Sequence, residues 1–319
     1  MQMQTTIALC LARSLAAASV ILLLGFATGC ASTENDHSIA STDDETYRPM
    51  GPASRRDDSI GKYLADLSTS ISAWNSKTIA ASNDSDRRKQ ALLEINIRER
   101  ARNRFGEILL QLETGPEHNR VIAAAAIGFA GQEEALSPLL AALDDTSDKV
   151  VGNALLGLGT LGSKETPLHK VGDLLRYSPN SRTRWSAADC ALSLVAAGAD
   201  PDGIKEAARS GLTDAEEPIV RTQSALILAF IGDTDSIEAL GDLVFDEVPL
   251  VSSSAAQALA FLGRKHPEAA GPAARALYTA LAEGKRDLQL RVHPSLVRLS
   301  RRDYDLDLKL WDEWVRRLP

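Results

Sequence analysis

Five short apolar segments that end in glycine recur along this chain at nearly constant intervals. The clearest is ALLGLGTLG at Ala154–Gly162, and the others are AIGFAG at Ala126–Gly131, LVAAG at Leu194–Gly198, LAFIG at Leu228–Gly232 and LAFLG at Leu259–Gly263. Successive closing glycines are 31, 36, 34 and 31 residues apart. A period in the thirties is typical of stacked supersecondary units, each of which buries its apolar face against the next. The repeat therefore predicts an all-α solenoid of stacked helical hairpins.

Each unit is predicted to contain two helices. The first helix ends at the closing glycine, because glycine adopts the left-handed conformation of a helix C-terminus without strain. A shorter second helix follows, and the predicted second helices are Glu133–Leu143, Pro167–Arg176, Ile204–Gly211, Ser236–Val244 and Pro267–Ala282. Alanines in the middle of the first helices allow neighbouring helices to approach closely. We expect the second helices to line the concave surface of the solenoid.

The pattern resembles the HEAT-like repeat family, in the alanine- and glycine-rich form first described in phycobilin lyases. The resemblance covers roughly Glu117–Gly284. It implies a right-handed α-solenoid and a structural ladder of acidic and basic residues between units. The acidic members would be Asp144–Asp145, Asp214 and Asp246, facing Lys149, Arg221 and Arg184 in neighbouring units. Most proteins with this repeat are not lyases, so the resemblance predicts a fold and no particular activity.

The N-terminal residues have the pattern of an export signal. One basic residue, Arg13, precedes the apolar segment Leu15–Phe26, which is shorter than a membrane-spanning helix. The segment runs into Ala27–Cys30, which resembles the lipobox of bacterial lipoproteins, although that family prefers leucine where this chain has Ala27. The resemblance implies lipid attachment to Cys30 and cleavage before it. The alternative is an ordinary signal peptide with an incidental cysteine.

The residues after Cys30 are predicted to form a tether. Residues 31–58 are polar and contain few large apolar side chains, which is typical of disorder. A flexible segment of this length has a reach of about 25–30 Å. We therefore expect an exported chain that is lipid-anchored to the cell membrane or the outer membrane and faces the periplasm. The predicted divisions are a signal peptide (1–29), a tether (30–58), an N-terminal helical cap (59–114) and a repeat solenoid with C-terminal capping helices (115–319).

The predicted cap contains two helices, Ser59–Ala80 and Arg87–Glu113, that do not match the repeat. The second is predicted to turn seven apolar residues inward: Leu92, Ile95, Ile97, Phe105, Ile108, Leu109 and Leu112. Its outer face is basic and includes Arg87, Arg88, Arg98 and Arg102. We interpret this face as solvated, with ion pairs between successive turns. The alternative is a surface for anionic lipid or for an acidic partner.

The C-terminal end contains two tryptophans, Trp311 and Trp314, three residues apart on the predicted helix Asp307–Leu318. The segment LVRLSRRDYDLDLKLWDEWV resembles a terminal segment of some bacterial HEAT-like proteins. We interpret both tryptophans as sealing the open end of the solenoid. The alternative is an aromatic anchor for another protein.

The composition offers little for catalysis or for binding nucleic acid. A formal charge of −8 over 319 residues is unsuited to a polyanion. No histidine has another His, Cys or Glu at a recognised metal-ligand spacing, and the GxGxxG-like run Gly157–Gly162 is interpreted as the turn of the repeat. If Cys10 leaves with the signal and Cys30 is acylated, Cys190 remains, and we expect it to be a small buried residue. We therefore expect no catalytic residue, no metal and no cofactor.

Together these features predict a lipid-anchored solenoid, not an enzyme, that acts as a protein-binding scaffold in the cell envelope. Two alternatives stay open. One is a structural subunit of an envelope complex, and the other is a lyase-like enzyme that uses the concave groove. The sequence does not identify the partner.

Overall fold

The computed structural model describes residues 59–80, 84–214 and 216–319. Over these ranges the chain forms α-helices and short 3₁₀ turns and contains no β-strand. The predicted signal peptide, Cys30 and the predicted tether lie outside the described residues. The first three helices are α1 (Ile60–Ala80), α2 (Asp84–Asn103) and α3 (Phe105–Thr114). No described helix combines the length and the apolar character that crossing a bilayer requires.

Helical hairpins follow these three helices in an unbroken series. The first helices of the hairpins are α4 (Glu117–Phe129), α6 (Asp148–Leu161), α8 (Ser181–Ala197), α10 (Pro218–Ile231), α12 (Pro249–Lys265) and α14 (Arg286–Ser300). The second helices are α5 (Leu136–Ala141), α7 (His169–Tyr177), α9 (Lys205–Gly211), α11 (Ile237–Leu243), α13 (Pro267–Glu283) and α15 (Leu308–Val315). Short 3₁₀ turns flank α5 at Glu133–Ala135 and Ala142–Asp144 and precede α11 at Thr234–Ser236. All five predicted second helices are present within a few residues of their predicted bounds.

The core of the stack lies between two layers of helices. Each first helix packs against the next first helix, and from α6 onwards each also packs against the second helix of the preceding hairpin. Extensive packing on the second helix of the same hairpin occurs for α12, which contacts α13. Leucines at the seams, such as Leu155, Leu228 and Leu259, are fully buried. This arrangement confirms the predicted all-α solenoid, in which each hairpin depends on its neighbours for burial.

Four of the five closing glycines end their helices as predicted. Their φ angles lie between 63° and 93° at Gly131, Gly162, Gly198 and Gly232. The prediction is wrong for Gly263, which lies inside α12 because that helix continues to Lys265. A Cβ atom added at Gly263 would lie 2.9 Å from Leu299 Cδ1, so the absence of a side chain there serves close packing.

The glycines of the segment ALLGLGTLG have different roles. Gly157 and Gly159 lie within α6, and only Gly162 forms the turn that the sequence analysis assigned to the whole run. A Cβ atom added at Gly157 would lie 2.3 Å from Ala124 O, and one added at Gly128 would lie 2.1 Å from Gly157 O. The backbones of α4 and α6 are therefore in direct contact.

The first helices pack against one another more extensively than the second helices do, so they form the more continuous of the two layers. The expected position of the second helices on a concave surface stays a prediction.

The predicted single helix Arg87–Glu113 is wrong, because the chain breaks at Arg104 between α2 and α3. At Arg104 the backbone has φ −125° and ψ 32°. Its guanidinium carbon lies 4.7 Å from the centroid of the Tyr63 ring, and its Nε donates to Glu107 Oε1 at 2.8 Å. Contacts with α1 thus accompany a break that helix periodicity does not reveal.

Candidate functional site

Three arginines at the same position in their first helices each bridge two turns of the stack. In α8, Arg184 Nε donates to Asp214 Oδ2 at 2.7 Å, and Arg184 Nη1 donates to Ser178 O at 3.1 Å. Two other hairpins repeat this arrangement, with 2.8 Å bonds from Arg120 to Asp145 and from Arg221 to Asp246. The ladder expected from the family resemblance is present.

The pairing within the ladder differs from the expected one. Each arginine binds the aspartate that follows the second helix of its own hairpin, so Asp214 pairs with Arg184 and not with Arg221. Asp145 likewise pairs with Arg120, whereas Lys149 is exposed. These arginines also contact the preceding unit, because Nη1 of each guanidinium donates to a backbone carbonyl oxygen in the turn before its helix.

Two of the ladder carboxylates, Asp214 and Asp145, are held in their ionised form. Burial raises the pKa of Asp214, but hydrogen bonds from Arg184 and from the N–H groups of Glu217 and Glu216 outweigh it, so the pKa lies below 3.8. The hydrogen bond from Arg120 likewise lowers the pKa of Asp145. These groups are fully paired at neutral pH, so they stabilise the turns and are poorly placed to transfer protons.

The first helices expose two rows of side chains across the stack, which we call the first-helix face. Equivalent positions of successive helices form one row of Leu156, Asp189, Leu226 and Gln257 and another of Thr160, Ser193, Phe230, Phe261 and Arg298. Polar side chains connect neighbouring helices, since Gln223 Nε2 donates to Asp189 Oδ1 at 2.9 Å. Asn153 Nδ2 similarly donates to Val121 O at 2.7 Å.

Two phenylalanines are the most prominent apolar feature of the first-helix face. The ring centroids of Phe230 and Phe261 are 5.9 Å apart, and Phe261 is 41% exposed. Lys265 Nζ lies 5.7 Å from the centroid of the Phe261 ring. Sequence reasoning did not single out this pair, because both residues lie in the repeat segments LAFIG and LAFLG, which were interpreted only as apolar segments that end in glycine. The available signal was their 31-residue spacing at a position that is polar in the two preceding units.

The predicted basic surface of α2 is used mainly within the protein. Arg102 Nε donates to Ala130 O at 2.7 Å, where it satisfies a carbonyl at the end of α4. Two others have acidic partners one turn away: Arg98 with Glu94 at 2.8 Å, and Arg87 with Asp84 at 3.7 Å. Arg88 is exposed. This geometry matches the interpretation of a solvated face with ion pairs.

Two apolar residues of α2 do not point inward as predicted. Leu92 is 46% exposed and Ile95 is 52% exposed, because α2 packs on α1, α3 and α4 with one face only. The inward prediction is correct for Ile97, Ile108 and Leu112, which are buried, while Phe105 and Leu109 are partly buried.

Trp311 is fully buried at the C-terminal end of the stack. Its indole Nε1 donates to Asp305 O at 2.9 Å, and its ring contacts Tyr304 and Trp314 edge to face at 4.9 and 5.7 Å between centroids. The alternative of an aromatic partner anchor is therefore wrong for Trp311, which seals this end. Trp314 is partly buried beside it.

Cys190 is buried in α8 with 2% of its surface exposed. Burial raises the pKa of its thiol far above the ordinary range, so almost no reactive thiolate exists at neutral pH. This matches the expected role as a small buried residue.

We expect the Cys190 thiol of the native protein to be alkylated at least about a hundredfold more slowly at pH 8 than that of the urea-unfolded protein, because the sulfur must first be exposed by opening of the fold. The rate is followed by mass spectrometry on the peptide that contains Cys190. Equal rates in the two states would show that the thiol is accessible and would contradict its burial.

Two open grooves lie between second-layer helices. One, of about 540 Å³, runs between α11 and α13 and is lined by Asp235, Glu238, Glu268 and Arg275 among others. The other, of about 570 Å³, lies between α3 and α5 beside the Arg120–Asp145 pair. Across the part of the chain that the structure describes, no group of three or more His, Cys, Asp or Glu residues is placed to hold a metal ion.

Comparison with known proteins agrees with this architecture. The family model for HEAT repeats matches residues 106–191 and 205–288, together more than half of the chain. No curated protein matches this chain. Among solved structures, the designed armadillo repeat protein YIII(Dq)4CqI is 19% identical with a TM-score of 0.44, and covers 60% of this chain and 98% of its own.

Two natural proteins are also similar in structure. The CpcE–CpcF complex of phycocyanin lyase from Nostoc sp. PCC7120 is 21% identical with a TM-score of 0.43, over 60% of this chain and 75% of that chain. Human deoxyhypusine hydroxylase in complex with glycerol is 16% identical with a TM-score of 0.35, over 77% of this chain and 92% of that chain. At this level of identity and overlap, the similarities do not extend to a partner or an activity.

Proposed function

Because the chain belongs to the HEAT repeat family, we propose that it is a protein-binding scaffold of the bacterial cell envelope, anchored to a membrane by lipid on Cys30. The observation that supports binding most directly is the first-helix face. It runs across successive first helices and carries the exposed Phe261 beside the partly buried Phe230. A surface of this kind offers many adjacent contacts of modest strength, which suits recognition of another polypeptide.

Binding is favoured over catalysis by the state of the polar groups. The ladder carboxylates are paired with arginines, and the Cys190 thiol is buried. The two grooves are open to solvent. A catalytic site needs clustered titratable groups with shifted pKa values in a sheltered pocket. The carboxylates with a lowered pKa here are each held by an arginine: Asp145 by Arg120, Asp214 by Arg184, Asp233 by Arg209 and Glu107 by Arg104.

The membrane anchor is supported by the sequence before residue 59. The apolar segment Leu15–Phe26 is followed by small residues and Cys30, and then by a polar segment long enough to hold the body away from the lipid head groups. Lipid chains contribute about 0.8 kcal/mol per buried CH₂ group, so two or more chains on one cysteine anchor a chain stably.

We expect wild-type protein to be recovered in the membrane fraction with acyl mass on Cys30, and Cys30→Ala to lose both the added mass and the membrane association. The measurement is intact-mass analysis of the native protein combined with membrane fractionation. Cys190→Ala is the matched control, because it removes the other cysteine of the mature chain and is expected to stay at the membrane. An unmodified Cys30, or a Cys30→Ala variant that remains at the membrane, would contradict the anchor.

A further inference from the structure

Charge is distributed unevenly between the two layers of the C-terminal half. The first helices α10, α12 and α14 together contain six Arg or Lys residues and one acidic residue, Asp287. The second helices of the same three hairpins, α11, α13 and α15, contain six acidic residues and two basic ones. The first helices of the N-terminal half, α4, α6 and α8, are nearly balanced, with four basic and three acidic residues. Arg221 is paired with Asp246 in the ladder, which leaves five basic residues against one acidic residue on α10, α12 and α14. A chain of net charge −8 therefore carries a positive surface on one layer of one half.

The aromatic pair lies within this positive region. Phe230 belongs to α10 and Phe261 to α12, and Arg298 occupies the equivalent position on α14. Arg264 and Lys265 follow Phe261 by three and four residues, so they lie on the same side of α12. The exposed Phe261 and the partly buried Phe230 are thus bordered by cations along the helix and across the stack.

The cations around the pair are available to a partner. Arg264 and Arg298 are exposed and form no ion pair with any residue that the structure describes. Lys265 is exposed as well, and its Nζ lies 3.5 Å from Phe230 O and close to the Phe261 ring. Ladder arginines such as Arg184, by contrast, are fully engaged. A basic residue without an acidic partner beside an exposed ring favours a ligand that supplies carboxylates.

We propose that the surface formed by Phe230, Phe261, Arg264, Lys265 and Arg298 binds an acidic segment of a partner protein that carries a bulky apolar side chain between its acidic residues. The apolar side chain packs against the two phenylalanine rings, and the carboxylates pair with Arg264, Arg298 and Lys265. This inference rests on the proposed protein-binding function and names the chemistry of the partner.

A polypeptide fits this surface better than a nucleic acid or a lipid bilayer. The positive region covers three helices only, so it matches a short segment with a few carboxylates. A long polyanion would extend beyond this region and would be repelled by the rest of the protein, because the net charge of the chain is −8. A bilayer would require a flat array of basic residues, whereas the free cations here surround one aromatic pair.

The test is selection of peptides from a displayed library of random 12-residue sequences on the purified full-length protein. We expect the enriched peptides to contain an excess of Asp and Glu around one aromatic or large aliphatic residue. Binding of a selected peptide, measured by fluorescence anisotropy, should weaken about tenfold or more in Phe261→Ala and in the double variant Arg264→Glu, Arg298→Glu. It should also weaken as the salt concentration rises.

Phe245→Ala is the matched control, because Phe245 is also an exposed phenylalanine but follows the second helix α11. It should leave peptide affinity unchanged. Circular dichroism checks that Phe261→Ala remains folded, and the double charge variant tests the same surface without removing an apolar side chain.

Selected peptides that are basic or neutral would overturn the proposal, as would acidic peptides that bind Phe261→Ala and the double charge variant like the wild type. In that second case protein binding would stand and only this surface would fail. The absence of any enriched peptide would count against both proposals. The protein could instead bind single-stranded DNA, or vesicles with anionic phospholipid, more tightly than it binds the selected peptides. If the same variants lost that binding, the proposed partner class would be wrong.

Discussion

Gly157→Ala is expected to destabilise the protein by about 3 kcal/mol, whereas Gly159→Ala, two residues later in the same helix, is expected to stabilise it by up to about 1 kcal/mol. The two substitutions add the same methyl group to α6. They differ in what that group meets, since a Cβ at Gly157 would lie 2.3 Å from Ala124 O and 2.8 Å from Leu139 Cδ2. The carbonyl belongs to the backbone of α4 and has little freedom to move, so the two helices must separate.

Gly159 has space for the same group. A Cβ there would have its nearest neighbours at 3.6 Å, in Cys190 and Ser193, which is ordinary van der Waals contact. Alanine also loses less backbone entropy than glycine when a helix forms, which accounts for the expected gain.

The effects of the two substitutions are compared through their unfolding midpoints in urea, which are measured by circular dichroism. Because unfolding of a repeat array can deviate from two-state behaviour, both variants are compared with wild type in the same experiment and the transition slopes are checked. Gly152→Ala provides a further control, since the added Cβ would be 3.7 Å from Ser186 Oγ. Equal effects of Gly157→Ala and Gly159→Ala would show that the α4–α6 contact is looser than the structure indicates.

The features of the fold that could be predicted from sequence are those set within one unit. The closing glycines Gly131, Gly162, Gly198 and Gly232 take the left-handed conformation because a helix must end there, and the spacing of apolar residues places the second helices correctly. Gly263 shows the limit of this reasoning. It has the same sequence context, but α12 continues past it and packs closely against Leu299.

Features that depend on neighbouring units could not be read from periodicity. The break at Arg104 accompanies a contact with Tyr63, and the exposure of Leu92 and Ile95 follows from the absence of a further described helix beyond α2. The pairing of Asp214 with Arg184 required the geometry of the turns. The pair formed by the partly buried Phe230 and the exposed Phe261 belongs to the same class, because only the packing of adjacent first helices shows which part of a repeat motif remains open to solvent.

Arg184→Ala is expected to destabilise the protein by about 3 kcal/mol, because it leaves a nearly buried carboxylate without its cation. The side chains of Arg184 and Asp214 are 13% and 9% exposed, and Asp214 keeps only the backbone N–H donors of Glu216 and Glu217 when the guanidinium is removed. The same change also breaks the bond from Arg184 to Ser178 O, so the contact with the preceding turn is lost. The loss is measured as the decrease in unfolding midpoint and in free energy of unfolding.

Lys164→Ala is the matched control for removal of a cation. The Lys164–Glu165 pair is 3.6 Å apart, and its side chains are 73% and 72% exposed, so solvent screens it and its removal should change stability by less than about 0.5 kcal/mol. Similar effects of Arg184→Ala and Lys164→Ala would mean that the ladder contributes no more than an exposed ion pair.

The contribution of the Asp214 charge to the free energy of unfolding is expected to decrease as the pH falls. The pKa of Asp214 is lower in the folded protein than its ordinary value of 3.8, so the unfolded chain takes up the proton first as the pH falls. The stabilisation is therefore fully present above about pH 5 and decreases as the pH falls through about 4 and then through the folded-state pKa. The difference in unfolding free energy between wild type and Asp214→Asn should be constant from pH 7 to 5 and should shrink at lower pH, down to the lowest pH at which both proteins are folded. A difference that instead grew on acidification would mean that burial, and not Arg184, controls the ionisation of Asp214.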